Sequence, residues 1–510
     1  MAEVYGTFGQ RDQKGMISLK KEKIFRTFDE HFGRGYSIYE NSFKVRDETA
    51  FFLVKGEENK KLILVSREEN SLKGFDIEKK DKIGDTHFGF CRLTHDSAKA
   101  LRKIFANLNP VPCLNKASFG TGDRLGVTTA GHLRAFKGSK LFPFLAQQSV
   151  RENERTGRNW RNVLDDAMWG VFEFGYDGPF GADADHIKKK EDLLEAIEEG
   201  FTMFTIDPSD YVKELSKLSE SEKNEIYQSI LKKQDLSEYL NKEYMINGKT
   251  LKFDEKTLRD AAVVYFDAIN HVEKMYKIIK EIKDEFDFEV SVDETETPTS
   301  PLFHIFVAEE LKKREVNFHN LALRFIGDWQ KGIDYIGNIE KFKEEINMHA
   351  EIARYFGGYK LSLHSGSDKF SVYPYFAEST RGIFHVKTAG TSYLEAIKIV
   401  AMYESGLYRQ IHKFALETFD KDKASYHVTT DLSKIPNVDE LKDEELPKLF
   451  ENNDSRQLIH ITYGSILNAR DENGNYLFKN KIYRVLFEHE KEYYESIEKH
   501  IGKHLKLLEV

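Results

Sequence analysis

The stretch GYKLSLHSGSDKFSVYPYFAESTRGIFHVKTAGTSY, residues 358–393, decides how the rest of the chain is read. It holds two short apolar runs, 359–363 and 383–386, each predicted to be a buried strand. The first runs out into His364, Ser365, Gly366 and Ser367. The second contains His385 and runs out into Lys387, Thr388, Ala389 and Gly390. A buried strand that ends in imidazole and turns through glycine can present a metal ligand beside backbone N–H groups that grip an anion. A lone histidine in such a place is more often a core residue bonded to backbone. Two in succession, with His186 in a similar setting upstream, point instead to a site.

Working outward, the runs 114–119, 141–146, 180–184, 201–206, 286–292 and 321–326 repeat the pattern, with amphipathic helical stretches between them. With the first two runs this makes eight, the number that closes a (β/α)8 TIM-type barrel, so the expected class is α/β. Ser300 followed by Pro301 predicts a helix start, and Asp254 predicts the cap of a long helix. The expected organisation is a loose leader over 1–20, a small α/β domain over 21–110, the barrel over 111–400 and a helical C-terminal extension over 401–510 packed on it. A largely helical insertion, about 209–286, interrupts the barrel and is expected to be a lid or a contact in a homo-oligomer.

Apolar residues are 40% and charged residues 32% of the 510 positions, an ordinary enzyme profile. A net charge of -9 without a basic stripe argues against nucleic acid as a partner. Cys91 and Cys113 are the only cysteines, too few for a disulfide framework or a cysteine zinc site. No apolar run reaches membrane-spanning length and no signal-peptide core is present, so the expectation is a cytoplasmic protein without a membrane partner.

Chemistry in such a barrel sits at the C-terminal ends of the strands. There the third run supplies Asp185 and His186, the fifth Glu289, the seventh His364 and the eighth His385. His186, His364 and His385 are expected to converge on one divalent cation with an open coordination position. Zinc comes first, and manganese, nickel, cobalt or iron suits the same ligands. Asp185 and Glu289 are the acid/base candidates. Asp293 and Glu294 compete with Glu289 for the second role. Substrate-binding candidates are Asp123 and Arg124 after the first run, and Gln147, Ser149 and Arg151 after the second. Arg324 in the sixth and Ser365, Gly366, Lys387 and Thr388 after the last two complete the set. His500 and His504, four apart on one predicted helix, are read as a solvated face.

Eight strings carry a resemblance: HFGRGY (31–36), ASFGTGDRLG (117–126), AQQSVRENERTGR (146–158), FGADADH (180–186), GFTMFTIDPSD (200–210), FEVSVDETETPTSPLFHIFV (288–307), LHSGSDKFSVYP (363–374) and FHVKTAGTSYLEA (384–396). Together they resemble the tagaturonate epimerase family of uronate catabolism. The resemblance implies an isomerase of carbohydrate metabolism that uses a divalent metal to interconvert D-tagaturonate and D-fructuronate, with tagatose and fructose as further substrates. Its partner is then a small sugar acid or ketose. The order Asp185-His186, Glu289, His364, His385 is also similar to the metal site of class II aldolases, with Ser365 after His364 as a departure. Because the hydrogen on the inverting carbon is not acidic, the implied route is retro-aldol cleavage and re-addition. A class II sugar-phosphate aldolase is the alternative, and a sugar-binding protein without activity the weaker one.

Overall fold

A computed structural model describes residues 9–509, with side chains from residue 21. Residues 1–8 of the expected leader lie outside the described residues, and from Gly9 the backbone is helical. The chain divides into two compact units. One runs through Asn109 and includes Asp165–Gly178; the other comprises Pro110–Leu164 and Pro179 onward.

The first unit is built on a five-stranded antiparallel sheet. Helix Gly9–Phe32 sets Phe28 into its core, against Phe52, Phe88 and Phe90. Three of its strands, Thr49–Lys55, Lys60–Ser66 and Thr86–Cys91, are largely apolar and buried. Ser37–Arg46 and Ile77–Ile83 are edge strands, the latter with charges at five of its seven positions, so no apolar run announces them.

The second unit contains a closed barrel of eight parallel strands: β1 (Ser118–Thr121), β2 (Phe142–Ser149), β3 (Gly181–Ile187), β4 (Met203–Ile206), β5 (Asp287–Val292), β6 (Asn320–Leu323), β7 (Lys360–Leu363) and β8 (Phe384–Thr388). Strands pair in chain order and β8 closes on β1. All eight predicted runs overlap an observed strand, and Ser300 and Asp254 cap the helices expected of them.

The interior of this barrel is unusually polar. In β5 every residue is buried, but alternation sends Asp287, Glu289 and Ser291 inward and the apolar residues out against the helices. Asp183, Thr205, Ser362, His385 and Lys387 also lie buried inside. Lys387 Nζ sits 2.7 Å from Asp183, 2.7 Å from Asp185 and 2.8 Å from Glu289. Buried charge at this density is tolerated only because it is paired.

The insertion lies on the flank of the barrel. Tyr239 OH donates to Glu310 at 2.7 Å and Tyr244 OH donates to Glu309, both acids on helix Pro301–Lys313. None of its described residues lines the cavity at the barrel mouth. Among the described residues no helix is long and apolar enough to cross a membrane.

The last helix, Glu490–Leu508, packs across the barrel: Tyr493 shares a hydrogen bond of 2.7 Å with Thr128, and Gly131 leaves room for Tyr494 and Ile497. His500 and His504 are therefore not a solvated face. His504 is fully buried, and His500 Nε2 lies 2.5 Å from Asp368. The acid partner is 132 residues away in sequence, which is why helical spacing alone misjudged the pair.

Candidate active site at the barrel mouth

A cavity of about 360 Å³ opens at the C-terminal ends of the strands, the face where barrel chemistry is found. Asp185, His186, Asp293, His364 and Lys387 meet there. Two of these positions depend on unusual backbone. His186 has φ +55° within an irregular pairing of β3 with β4, and Ser365, just after His364, has φ +53°. Left-handed conformations at residues with side chains cost energy and cluster at functional sites. Here they turn two imidazoles toward each other, with ring centroids 5.0 Å apart.

His364 is held from two sides. Its Nε2 lies 2.6 Å from Glu289 and its Nδ1 3.4 Å from Asp293. Burial opposes charge on this ring, but Asp293 and Glu289 outweigh it and push its pKa up to about 10. His186 Nδ1 lies 2.8 Å from Asp185. Burial raises Asp185, yet His186 and Lys387 hold its carboxyl well below the usual range. Glu289 is likewise held down by Lys387 and His364 against its burial. Asp183, a layer deeper, is driven up to about 7 by burial, against the pull of Lys387.

Ligand atoms of His186, Asp293 and His364 all lie within 4.8 Å of one another, as do those of Asp185, Glu289 and His364. Two imidazoles and a carboxylate form a donor set for a divalent transition metal. His385 is not among them. It points inward like Lys387, but two residues earlier on β8 and so one layer down. There its Nδ1 lies 2.9 Å from Ser118 Oγ and its ring packs on Phe144. Burial keeps it neutral, its pKa well below the ordinary value. The expected set of three imidazoles becomes His186, His364 and Asp293.

The other expected residues separate in the same way. Arg124, Gln147, Ser149, Arg151, Arg324, Ser365 and Lys387 line the cavity. Arg124 is committed to Glu152 at 3.0 Å and to the carbonyl of His460 at 3.2 Å, and Ser149 caps helix Val150–Thr156. Four expected residues are not in the lining. Asp123 accepts three backbone N–H groups, from Leu125, Gly126 and Thr128. Thr388 Oγ1 donates to Gly120, and Gly366 sits so close to Lys387 O and Val386 that no side chain fits. Glu289 is fully buried beneath the cavity and reaches it only through His364 and Lys387.

Sequence reasoning missed Lys331, Trp329, Tyr426 and His460, all in the lining. They come from the segment after β6, from the bend after helix Ser405–Lys423 and from helix Asn453–Ile461, where no strand-end rule applies. One trace existed: Gly390 leaves space that His460 Nε2 fills, since a Cβ there would lie 1.7 Å from it.

The comparisons with known proteins agree among themselves. A family model described as tagaturonate epimerase matches residues 39–508. A protein of Thermotoga maritima named tagaturonate/fructuronate epimerase is 57% identical over 487 residues, covering 95% of this chain and all of that one. The crystal structure of a fructuronate-tagaturonate epimerase from Cohnella laeviribosi with glycerol bound superposes with a TM-score of 0.89 at 40% identity, covering 96% of this chain and 99% of that one. Its native form matches with the same TM-score at 39% identity, with the same shares covered.

Proposed function

The chain belongs to the tagaturonate epimerase family, and we propose that it interconverts D-tagaturonate and D-fructuronate in the cavity at the barrel mouth. The observation that carries this reading is the meeting of His186, Asp293 and His364 beside Asp185 and Lys387 in a cavity of small-ligand size.

A divalent cation, zinc first among the candidates, fits the donors of His186, His364 and Asp293 and would supply a Lewis acid for the substrate's ketone and the hydroxyl next to it. The residues of the chain do the rest. Glu289, under His364, and Asp185, beside His186, fix the two rings. Asp185 accepts the proton of the hydroxyl on the inverting carbon, which is β to the ketone. Lys387, 2.7 Å from Asp185, places positive charge beside the oxygen as that proton leaves.

The bond between the α and β carbons then breaks. Its electron pair passes to the ketone half as an enediolate, and the β carbon becomes an aldehyde. The aldehyde turns its other face, the bond re-forms, and Asp185 returns the proton with the centre inverted. Abstraction of hydrogen from the β carbon itself would gain no such stabilisation.

Purified protein incubated with D-tagaturonate should yield D-fructuronate by NMR. EDTA should abolish the conversion, and add-back of zinc or another divalent ion should restore it. Isotope-labelled three-carbon aldehyde acid added to the reaction should enter the product. Deuterium uptake at the inverting carbon with no label incorporated overturns the cleavage route.

A further inference from the structure

Four cationic side chains of the cavity wall, with Lys387 at its floor, differ in how their donors are used. Lys387 is committed to three carboxylates and Arg124 to Glu152 and a carbonyl. Arg151, Arg324 and Lys331 are not. Arg324 Nε is buried with no hydrogen-bond partner. Among the described residues Arg151 forms no ion pair, and its guanidinium stands 5.4 Å from the centre of the Tyr426 ring. Lys331 Nζ donates to Ser365 Oγ at 2.6 Å and has no acid within salt-bridge distance.

We infer that Arg151, Arg324 and Lys331 seat the carboxylate end of the substrate and set the preference for a sugar acid over an uncharged ketose. The inference rests on the reading of the site as a tagaturonate epimerase. A buried donor without a partner is rare in native structures and costs free energy until something accepts from it. Part-buried Arg324 and Lys331, with exposed Arg151 at the rim, face acids that are engaged elsewhere, as Glu152 is with Arg124, or exposed, as Glu294 is, and so call for an anion from outside. A carboxylate answers both needs, since guanidinium forks match its geometry. Burial and neighbouring Arg151 already depress the Lys331 ammonium, so an arriving negative charge gains most there. Through Ser365, Lys331 is one residue from His364. The seat is thereby tied to the reacting end, and a substrate anchored in it is also oriented.

The test compares Arg324→Met and Lys331→Met with the metal-loaded wild type on D-tagaturonate and on D-tagatose. Each variant should raise KM for tagaturonate about ten- to a hundredfold, the range for losing one charge-assisted contact, while KM for tagatose moves less than about threefold. Arg324→Lys should recover part of the loss. KM values that move together for both sugars, or an unchanged KM for tagaturonate, overturn the seat. Calorimetry with D-gluconate and sorbitol reads the seat without turnover. Gluconate should bind wild type and lose affinity in both variants, and sorbitol should not distinguish them. If wild type fails to epimerise tagaturonate, the functional reading falls. In that event the calorimetry still decides the seat, and gluconate binding that survives both substitutions overturns it.

Discussion

Two separate sets of histidine and carboxylate that share no residue, His186–Asp293–His364 and Asp368–His500–His504, are among the groups in the barrel unit that meet the geometric condition for holding a cation. Their donors are spent differently. In the second cluster His504 Nδ1 donates to the carbonyl of His500 at 2.9 Å, and its Nε2 accepts the backbone N–H of Asp368 at 3.0 Å. Asp368 is also bound by Arg456 at 2.7 Å, and His500 Nδ1 lies 3.2 Å from Glu395. Every polar atom there has a protein partner, and the product is a strap that ties the loop after β7 to the last helix. The first cluster borders the cavity at the barrel mouth, where His186 and Ser365 have positive φ; Asp368 and His500 border a cavity of their own, of about 340 Å³, and Asp368 has φ +62°. Ligand geometry beside a cavity does not separate the two; the Arg456 guanidinium already holds Asp368, whereas the cationic partners of Asp293 among the described residues are imidazoles.

The sharpest way to break this comparison is to remove one imidazole from each cluster. His364→Gln should lower kcat on the order of 10³-fold or more in protein that remains folded, the scale for losing a ligand together with its orientation of charge. His504→Gln should leave the kcat of the folded enzyme within a few-fold. Equal losses of kcat would erase the distinction. Next in size, Arg456→Met leaves Asp368 buried with its nearest full charge removed. It should cost about 3–5 kcal/mol of stability by denaturant unfolding. Metal removal separates the clusters again. EDTA should lower the Tm of wild type and of His504→Gln alike, and leave that of His364→Gln unmoved.

The smallest expected effect concerns pH. Burial works against charge on His500, but Asp368 and Glu395 outweigh it and raise its pKa above the ordinary value. Burial pushes His504 beside it down to about 3, so His500 is the histidine of the strap whose charge is favoured. A raised histidine contributes stability that is full below its unfolded pKa, near 6.5, and is lost as pH rises through the folded value. Wild type should therefore lose Tm as pH rises above about 6.5, relative to His500→Gln. A difference of a degree or two is the scale on which about 1 kcal/mol moves a chain this long. Parallel pH profiles would remove His500 from the strap.

Much of this was legible in the sequence, for reasons that also explain what was not. Eight apolar runs separated by helical stretches give a closed barrel because parallel strands buried on both faces must read as apolar runs. The strand-end rule then picked out Asp185, His186 and His364. It erred at His385 because alternation tells which face a residue points to and not how deep it lies; Lys387 occupies the upper layer. It left Asp293 as one of three acids, since Asp293 follows the end of β5 and only the fold brings it within 3.4 Å of His364. Lys331, His460 and Tyr426 were out of reach, because they arrive from loops and helices whose course no local pattern fixes. Asp368 and His500 failed likewise.

The placement of charge inside the barrel bears on how the ring assembles. Strands β3 and β5 bring four inward carboxylates, Asp183, Asp185, Asp287 and Glu289; the ammonium groups buried among them, Lys360 and Lys387, belong to β7 and β8. A ring lacking its last two staves thus has acids and no lysine to offset them, and must keep its lumen hydrated. Drying out should therefore accompany closure, and pulsed hydrogen exchange during refolding should show β3 and β5 gaining protection together with β7 and β8.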